Sequence, residues 1–183
     1  MVNKEVHKKY QIIYADPCWD YKGQTQHAGK ANSNTGGALK HYPTMTLPEL
    51  IDLKPMIDNL VDTENCLIFM WSSSPHLDQA MDLIKGWGFK WATVGFVWDK
   101  QKLNPSFYTM SQCELCLIGK IGKIPQPRGA RNVRQFASIL RGRHSAKPNE
   151  IRDRIVEMFP TQNKIELFAR ERFDGWDAWG NEV

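Results

Sequence analysis

With 183 residues, 42% hydrophobic and 24% charged, the chain has ordinary globular composition and enough length to bury a core of its own. No apolar run is long enough to span a bilayer and Met1 to His7 carry no signal-peptide pattern, so a cytoplasmic protein is expected. The four cysteines, Cys18, Cys66, Cys113 and Cys116, make no disulfide framework in a chain of this length.

The net charge of +4 is unevenly placed. No acidic residue lies between Glu114 and Glu150, while Lys120, Lys123, Arg128, Arg131, Arg134, Arg141, Arg143 and Lys147 supply eight positive charges. The rest of the chain holds 16 basic and 20 acidic residues. A basic segment over 120–147 on an otherwise acidic chain points to a phosphate-bearing partner; a solvated basic loop is the plain alternative.

Tyr10-Gln11-Ile12-Ile13-Tyr14-Ala15 reads as a β-branched, aromatic strand that stops at Asp16-Pro17-Cys18-Trp19. In an open α/β sheet the chemistry sits beyond the carboxyl ends of the strands, where Asp16 and Trp19 are delivered. Pro17 fixes its own φ and pushes Asp16 towards extended geometry, so the carboxylate leaves the strand in a set direction. Asp16 and the Pro17 carbonyl suit the two hydrogens of an amine, and Trp19 suits stacking on a planar ring. An ordinary Asp-Pro turn with Trp19 in the core is the other reading. Lys22 to Lys40, rich in Gly, Asn, Ser and Thr and without apolar periodicity, predicts a long mobile loop, and Tyr42 ends it with a second aromatic for the same pocket.

Thr46-Leu47-Pro48-Glu49 is a capping box that opens a helix to about Leu60. Cys66 to Trp71 is a continuous apolar run, as a buried parallel strand requires. Ser72-Ser73-Ser74-Pro75 caps a helix with Leu77, Met81 and Ile84 at helical spacing, ending at Gly86. A strand from Trp91 to Trp98, a loop from Asp99 to Met110 and a strand from Cys113 to Gly119 follow. Gln135 to Leu140 predicts a short strand, Pro148 to Phe159 a helix, and Lys164 to Phe168 a last strand before an aromatic, turn-rich tail. Strands alternating with helices give an α/β, Rossmann-like fold in a single domain over 1–183, its mainly parallel sheet covered on both faces. Gly-x-Gly-x-x-Gly is absent, so a nicotinamide dinucleotide site is not supported.

Cys113-x-x-Cys116 has no second Cys or His pair at zinc spacing, and residues three apart on a strand point to opposite faces, so no metal is expected. His144-Ser145-Ala146-Lys147-Pro148 precedes a helix start, which favours an anionic group. Gly180-Asn181-Glu182 offers an amide and a carboxylate suited to a ribose.

Asp16-Pro17-Cys18-Trp19 resembles the Asp-Pro-Pro-Trp motif of N6-adenine methyltransferases of the MT-A70 family. Further elements follow in the same order at similar spacing: Ser145-Ala146-Lys147-Pro148-Asn149-Glu150, Lys164-Ile165-Glu166-Leu167-Phe168-Ala169-Arg170, Gly175-Trp176 and Gly180-Asn181. The resemblance covers nearly the whole chain and is poorest over 22–40 and 125–141. It implies a circularly permuted, Rossmann-like methyltransferase that uses S-adenosylmethionine. Carried over by position, Asp16, Pro17, Cys18 and Trp19 hold the target adenine. Ile13, Asp16, Lys147, Arg170, Asn181 and Glu182 border the cofactor, and Tyr42 and Glu114 lie near the acceptor. Arg131, Arg134, Arg141 and Arg143 are the expected nucleic-acid contacts from the basic segment. Two departures stand out. Cys18 replaces the second proline, and Glu182 stands where the messenger-RNA enzyme has glutamine. A compact chain leans towards DNA as the acceptor. RNA as acceptor and a catalytically silent, nucleic-acid-binding partner subunit are the rival readings, and homodimer, heterodimer and monomer all remain open.

Overall fold

The computed structural model describes residues 8–20, 44–105, 108–142 and 146–183. The expected mobile loop over 22–40, Tyr42 and Arg143 lie outside the described residues.

Seven strands form one sheet: β1 (Ile12–Ala15), β2 (Asn65–Ser73), β3 (Lys90–Asn104), β4 (Ser111–Gly122), β5 (Phe136–Ser138), β6 (Lys164–Leu167) and β7 (Asp177–Trp179), in the spatial order β5-β3-β4-β2-β1-β6-β7. Four of the six pairings are parallel, and β4 is antiparallel to both β2 and β3. The expectation of a mainly parallel Rossmann-like sheet is met, with one antiparallel strand inserted.

Period-two alternation splits β1 between two cores. Ile13 and Ala15 join Ile68 and Met70 beneath α1 (Leu47–Ile51), α2 (Lys54–Leu60) and α3 (Leu77–Gly86). Ile12 and Tyr14 join Phe69 and Trp71 on the other face, which α4 (Asn149–Met158) covers with Ile151 and Ile155. Both faces are covered, so the central strands read as apolar runs rather than alternating ones.

Three expectations need correction. The helix expected from Thr46 to Leu60 is two helices, because Pro55 has no N–H to donate to the Ile51 carbonyl. Its start is as expected, with the Thr46 N–H donating to Glu49 Oε2 at 2.7 Å. The loop expected from Asp99 to Met110 is largely strand: β3 runs on to Asn104, which pairs with Ser111. Asp-Lys-Gln-Lys is poor strand sequence, and the ladder to β4 overrides it across a bulge at which Gln101 takes φ 51. The tail contains a third unexpected element, β7, which adds to β6 in parallel.

Candidate active site

The site opens at the carboxyl end of β1. From β1 the chain reaches β2 through α1 and α2 on one face, while β6 on the other side is reached through α4 on the opposite face. Connections that diverge in this way leave a crevice beyond the strand ends. Ala15 is in register with Met70 and Leu167, so Asp16 is the first residue to leave the sheet there.

The segment after Asp16 is held by its backbone. Trp19 N–H donates to the Pro17 carbonyl at 3.0 Å, Met45 N–H to the Cys18 carbonyl at 2.8 Å, and Asp20 N–H to the Met45 carbonyl at 3.1 Å. The Pro17 carbonyl keeps its second lone pair. Trp19 is 4% exposed and lies parallel to His76, with ring centroids 5.7 Å apart and 14° between planes. Its indole N–H is buried and meets no acceptor among the described residues. His76 ends the 3-10 turn Ser74–His76 after β2, with Ser73 Oγ 2.9 Å from its Nδ1. Burial pushes His76 below the usual histidine range, so the ring behind Trp19 is neutral at pH 7.

Charge at the site alternates along a chain of four side chains. Lys147 Nζ donates to Asp16 Oδ2 at 2.7 Å and lies 3.4 Å from Glu114 Oε2; Lys100 Nζ donates to Glu114 Oε1 at 3.2 Å. These side chains keep 14% (Lys147), 27% (Asp16), 19% (Glu114) and 7% (Lys100) of their exposure, so each charge is compensated by a neighbour rather than by water. Desolvation lifts Asp16 above the ordinary carboxylate value, and Lys147 only partly offsets it. Burial also pushes on Glu114, but Lys147 and Lys100 together outweigh it and hold that carboxyl low. The Cys18 thiol is raised by burial and stays protonated at neutral pH.

Two cavities meet at this chain. One, of about 260 Å³, is lined by Pro17, Trp19, Ser73, Glu114, Trp179 and Asn181 among others. The second, of about 450 Å³, extends past Asn149 to the Arg152–Glu166 pair. Asp16, Lys147, Phe168, Arg170 and Glu182 line both. Arg170 Nε lies 3.7 Å from Glu182 Oε1. Gly180 has no room for a side chain, since a Cβ there would sit 2.2 Å from the Ala169 carbonyl oxygen; this approach brings Asn181 to the wall. Phe168 takes φ 61, in the left-handed region, and packs edge-on against Trp179 with centroids 5.5 Å apart. Such conformations concentrate where a binding surface demands them.

Residues 10–182 match the model of the MT-A70 family. The chain belongs to the MT-A70 family. Members of this family methylate the N6 amine of adenine, and the chain is an adenine methyltransferase on that ground. It is 47% identical to the Type II methyltransferase M.MunI of a Mycoplasma, over 96% of this chain and 78% of that one. It is 24% identical to the N(6)-adenosine-methyltransferase MT-A70-like protein of Arabidopsis thaliana and to the putative one of Medicago truncatula. The chain spans about a quarter of those plant relatives' length, 24% and 26% respectively.

Of the MT-A70 positions expected in the site, Asp16, Pro17, Cys18, Trp19, Glu114, Lys147, Arg170, Asn181 and Glu182 come together at the cavities. Ile13 does not: it is fully buried under α1 to α3 and lines neither cavity, because its side chain leaves the sheet towards the helices, two residues short of the strand end. The basic segment is also divided. Arg141 N–H donates to the Lys100 carbonyl at 3.0 Å, beside the site. The Arg134 carbonyl accepts from Arg154 midway along α4, and Ala130, next to Arg131, donates to Glu157 at its far end. Lys120 pairs with Leu67, away from the strand ends that form the site. The charges on the described residues are therefore spread along the segment as it climbs the length of α4 rather than gathered in one footprint beside the site. Arg141→Glu is expected to weaken nucleic-acid binding and reduce the magnitude of its salt slope by about 1, while Arg131→Glu leaves both unchanged; titrations at several salt concentrations check this.

Lys100, His76 and Trp179 escaped the sequence reading, and Phe168 enters it only as part of the Lys164–Arg170 element, with no place in the site. A basic residue in a polar stretch, a lone histidine and a tail tryptophan carry no motif; only pairing brings Lys100 beside Glu114 and Trp179 beside Phe168. Among the described residues no cluster of Cys, His, Asp and Glu could hold a metal, and no helix is long and apolar enough to cross a membrane.

Proposed function

We propose that the chain transfers a methyl group from S-adenosylmethionine to the N6 amine of adenine in DNA. The observation that carries this reading is the Asp16 carboxylate, bound through Oδ2 to Lys147, beside the Pro17 carbonyl with its free lone pair at the wall of a cavity backed by Trp19.

The residues fit the cofactor. Lys147 and Asp16 match the carboxylate and ammonium of an amino acid, and Asn181, Glu182 and Arg170 match a ribose and its base. When bound, S-adenosylmethionine supplies a methyl group activated on a sulfonium. Asp16 Oδ1 and the Pro17 carbonyl accept the two N–H groups of the adenine amine. Polarising both N–H bonds draws the nitrogen lone pair out of conjugation with the ring and aims it. Trp19, held from behind by His76, fixes the plane of the base, and the gain is in positioning and charge placement. Lys147 favours the ionised form of Asp16 and offsets part of its desolvation. Asp16 is needed as the carboxylate, so transfer is expected to fall away on acidification with a midpoint above 3.8, the ordinary value that burial raises. A kcat/KM profile against pH checks this, and Asp16→Asn lacks that limb.

DNA is favoured over RNA by the 47% identity to a Type II methyltransferase, against 24% to the adenosine enzymes over a quarter of their length. In a duplex the base is first flipped out. The whole chain is proposed to work as one methyltransferase domain, in the cytoplasm. The silent-subunit reading is disfavoured because Asp16, Pro17, Trp19, Lys147 and Asn181 are all retained around the cavities. The test incubates the protein with methyl-labelled S-adenosylmethionine and duplex DNA, single-stranded DNA, RNA or no acceptor, then digests to nucleosides. Label in N6-methyldeoxyadenosine is the expected result; label only in N6-methyladenosine moves the acceptor to RNA. No label with intact cofactor binding overturns the enzyme reading.

A further inference from the structure

Of the four side chains in the charged chain, Lys100 lines neither cavity. The four come from different places across the sheet: Lys100 on β3, Glu114 on β4, Asp16 after β1 and Lys147 just ahead of α4. The strands lie in the order β3-β4-β2-β1, so Lys147 spans the end of β2, with its Nζ 5.7 Å from the centre of the Trp71 ring. Glu114 lies opposite Trp98 across the β3–β4 ladder, and Lys100, two residues past Trp98, reaches it on the diagonal. The Lys100 side chain keeps 7% of its exposure, and Glu114 Oε1 accepts from its ammonium at 3.2 Å. Asp99, its neighbour in sequence, is occupied by Gln101, Gln112 and Ser138.

We propose that Lys100 is a positioning residue for methyl transfer: it occupies Glu114, which leaves Lys147 to Asp16 beside the acceptor amine. The inference rests on the role given to Asp16 above. Lys147 lies between two carboxylates and is shared unequally, 2.7 Å from Asp16 and 3.4 Å from Glu114. In a site short of water the less compensated carboxylate draws a shared cation more strongly. Glu114 has Lys100 as well as Lys147. Asp16 has only Arg170 besides Lys147, and Arg170 lies beside Glu182 and favours the ionised Asp16 least. Without Lys100, Glu114 becomes a buried carboxylate with Lys147 as its remaining cation, and it draws Lys147 away from Asp16. Its negative charge also weighs more on Asp16. Both effects favour a proton on Asp16, and a carboxylic acid accepts amine hydrogens less well than a carboxylate. The other ionisable groups around Asp16 do not take up the difference. Glu166 is held by Arg152 at 2.9 Å, and burial keeps the Cys18 and Cys116 thiols protonated.

The test follows the side-chain carboxyl carbons of Asp16 and Glu114 by NMR as the pH is lowered, in protein without cofactor or DNA. The wild type is compared with Lys100→Met, Glu114→Gln and the two together; methionine keeps the apolar stem of the lysine. In Lys100→Met the apparent Asp16 midpoint rises by about half a pH unit or more, and the acid limb of kcat/KM rises with it. In the double variant the competing carboxylate is gone, and the Asp16 midpoint returns to the wild-type value or falls below it. Glu114→Gln alone lowers that midpoint, which keeps a readout in hand if Lys100→Met does not fold. An Asp16 midpoint that stays in place in Lys100→Met or in Glu114→Gln overturns the proposal. A drop in Tm without that movement makes Lys100 a support of the fold alone. A midpoint that stays raised in the double variant overturns it too, because the shift then bypasses Glu114. An acid limb that ignores a shift seen at Asp16 by NMR leaves the charge coupling standing and overturns the role given to Asp16.

Discussion

Replacing Asp16 with asparagine lowers methyl transfer about 100- to 1000-fold and leaves the fold in place. The magnitude is that of removing one preorganised group aimed at a reacting atom. Asparagine keeps the shape of the side chain and one acceptor oxygen but removes the negative charge that polarises the amine. Lys147 retains Glu114 at 3.4 Å, so the buried ammonium is not stranded. Cofactor affinity falls far less than the rate, because Lys147, Arg170, Asn181 and Glu182 remain around the cavities. Single-turnover transfer measured beside calorimetric titration of the cofactor separates the two effects. A variant within about tenfold of the wild-type rate contradicts the role given to Asp16.

Lys147→Met has the larger effect on stability. It leaves Asp16 and Glu114, two buried carboxylates, facing a site with no cation between them. Breaking a buried ion pair by deleting one partner costs about 3 kcal/mol at the low end, the end suited to side chains that keep 14% and 27% of their exposure. For a chain of this size that lowers Tm by about 6–12 °C. The pH dependence has a definite sign. Glu114 is held below its ordinary value of 4.5 in the folded protein, so its contribution is present above that pH and is lost as the pH falls through the folded value. Asp16 is raised, so its ionisation costs stability at neutral pH and acid relieves that cost. When Lys147 is gone, Glu114 loses part of that contribution and the cost at Asp16 grows. The Tm gap between wild type and variant is therefore widest at neutral pH and narrows as the pH falls and the two carboxylates protonate. A gap that stays constant from pH 7 to pH 4 means that Lys147 does not stabilise through these carboxylates.

The residues that proved legible were those whose signal is local. Asp16 follows a β-branched run and precedes a proline, and that alone places a carboxylate at a strand end. Thr46 and Glu49 announce a helix start, and Pro148 another. The Ser-Ala-Lys-Pro, Lys-Ile-Glu-Leu-Phe and Gly-Asn elements carried the family. Illegible stretches had competing local preferences or none. Residues 99–104 look like loop because Asp, Lys, Gln and Asn disfavour strands, yet pairing with β4 makes them one. The tail looks like turns, yet Asp177–Trp179 finds an open edge on β6. Ile13 follows the period of its strand, but its distance from the crevice depends on where β1 ends and which face the helices cover.

By itself the amino-acid sequence determined the α/β class, the chain order of the elements, the acid–carbonyl–aromatic cluster after β1 and the residues facing it from the far end of the chain. Those depend on side-chain chemistry, turn residues and apolar period, which act within a few positions. Tertiary structure alone decided the pairings that set charge: Asp16 with Lys147, 131 residues apart, and Lys100 with Glu114, 14 apart across a hairpin with a bulge. It also spread the basic segment along α4. Charges interact by distance and shared desolvation, and only the register of the sheet and the packing of the segments around it fix which side chains come within 4 Å of one another.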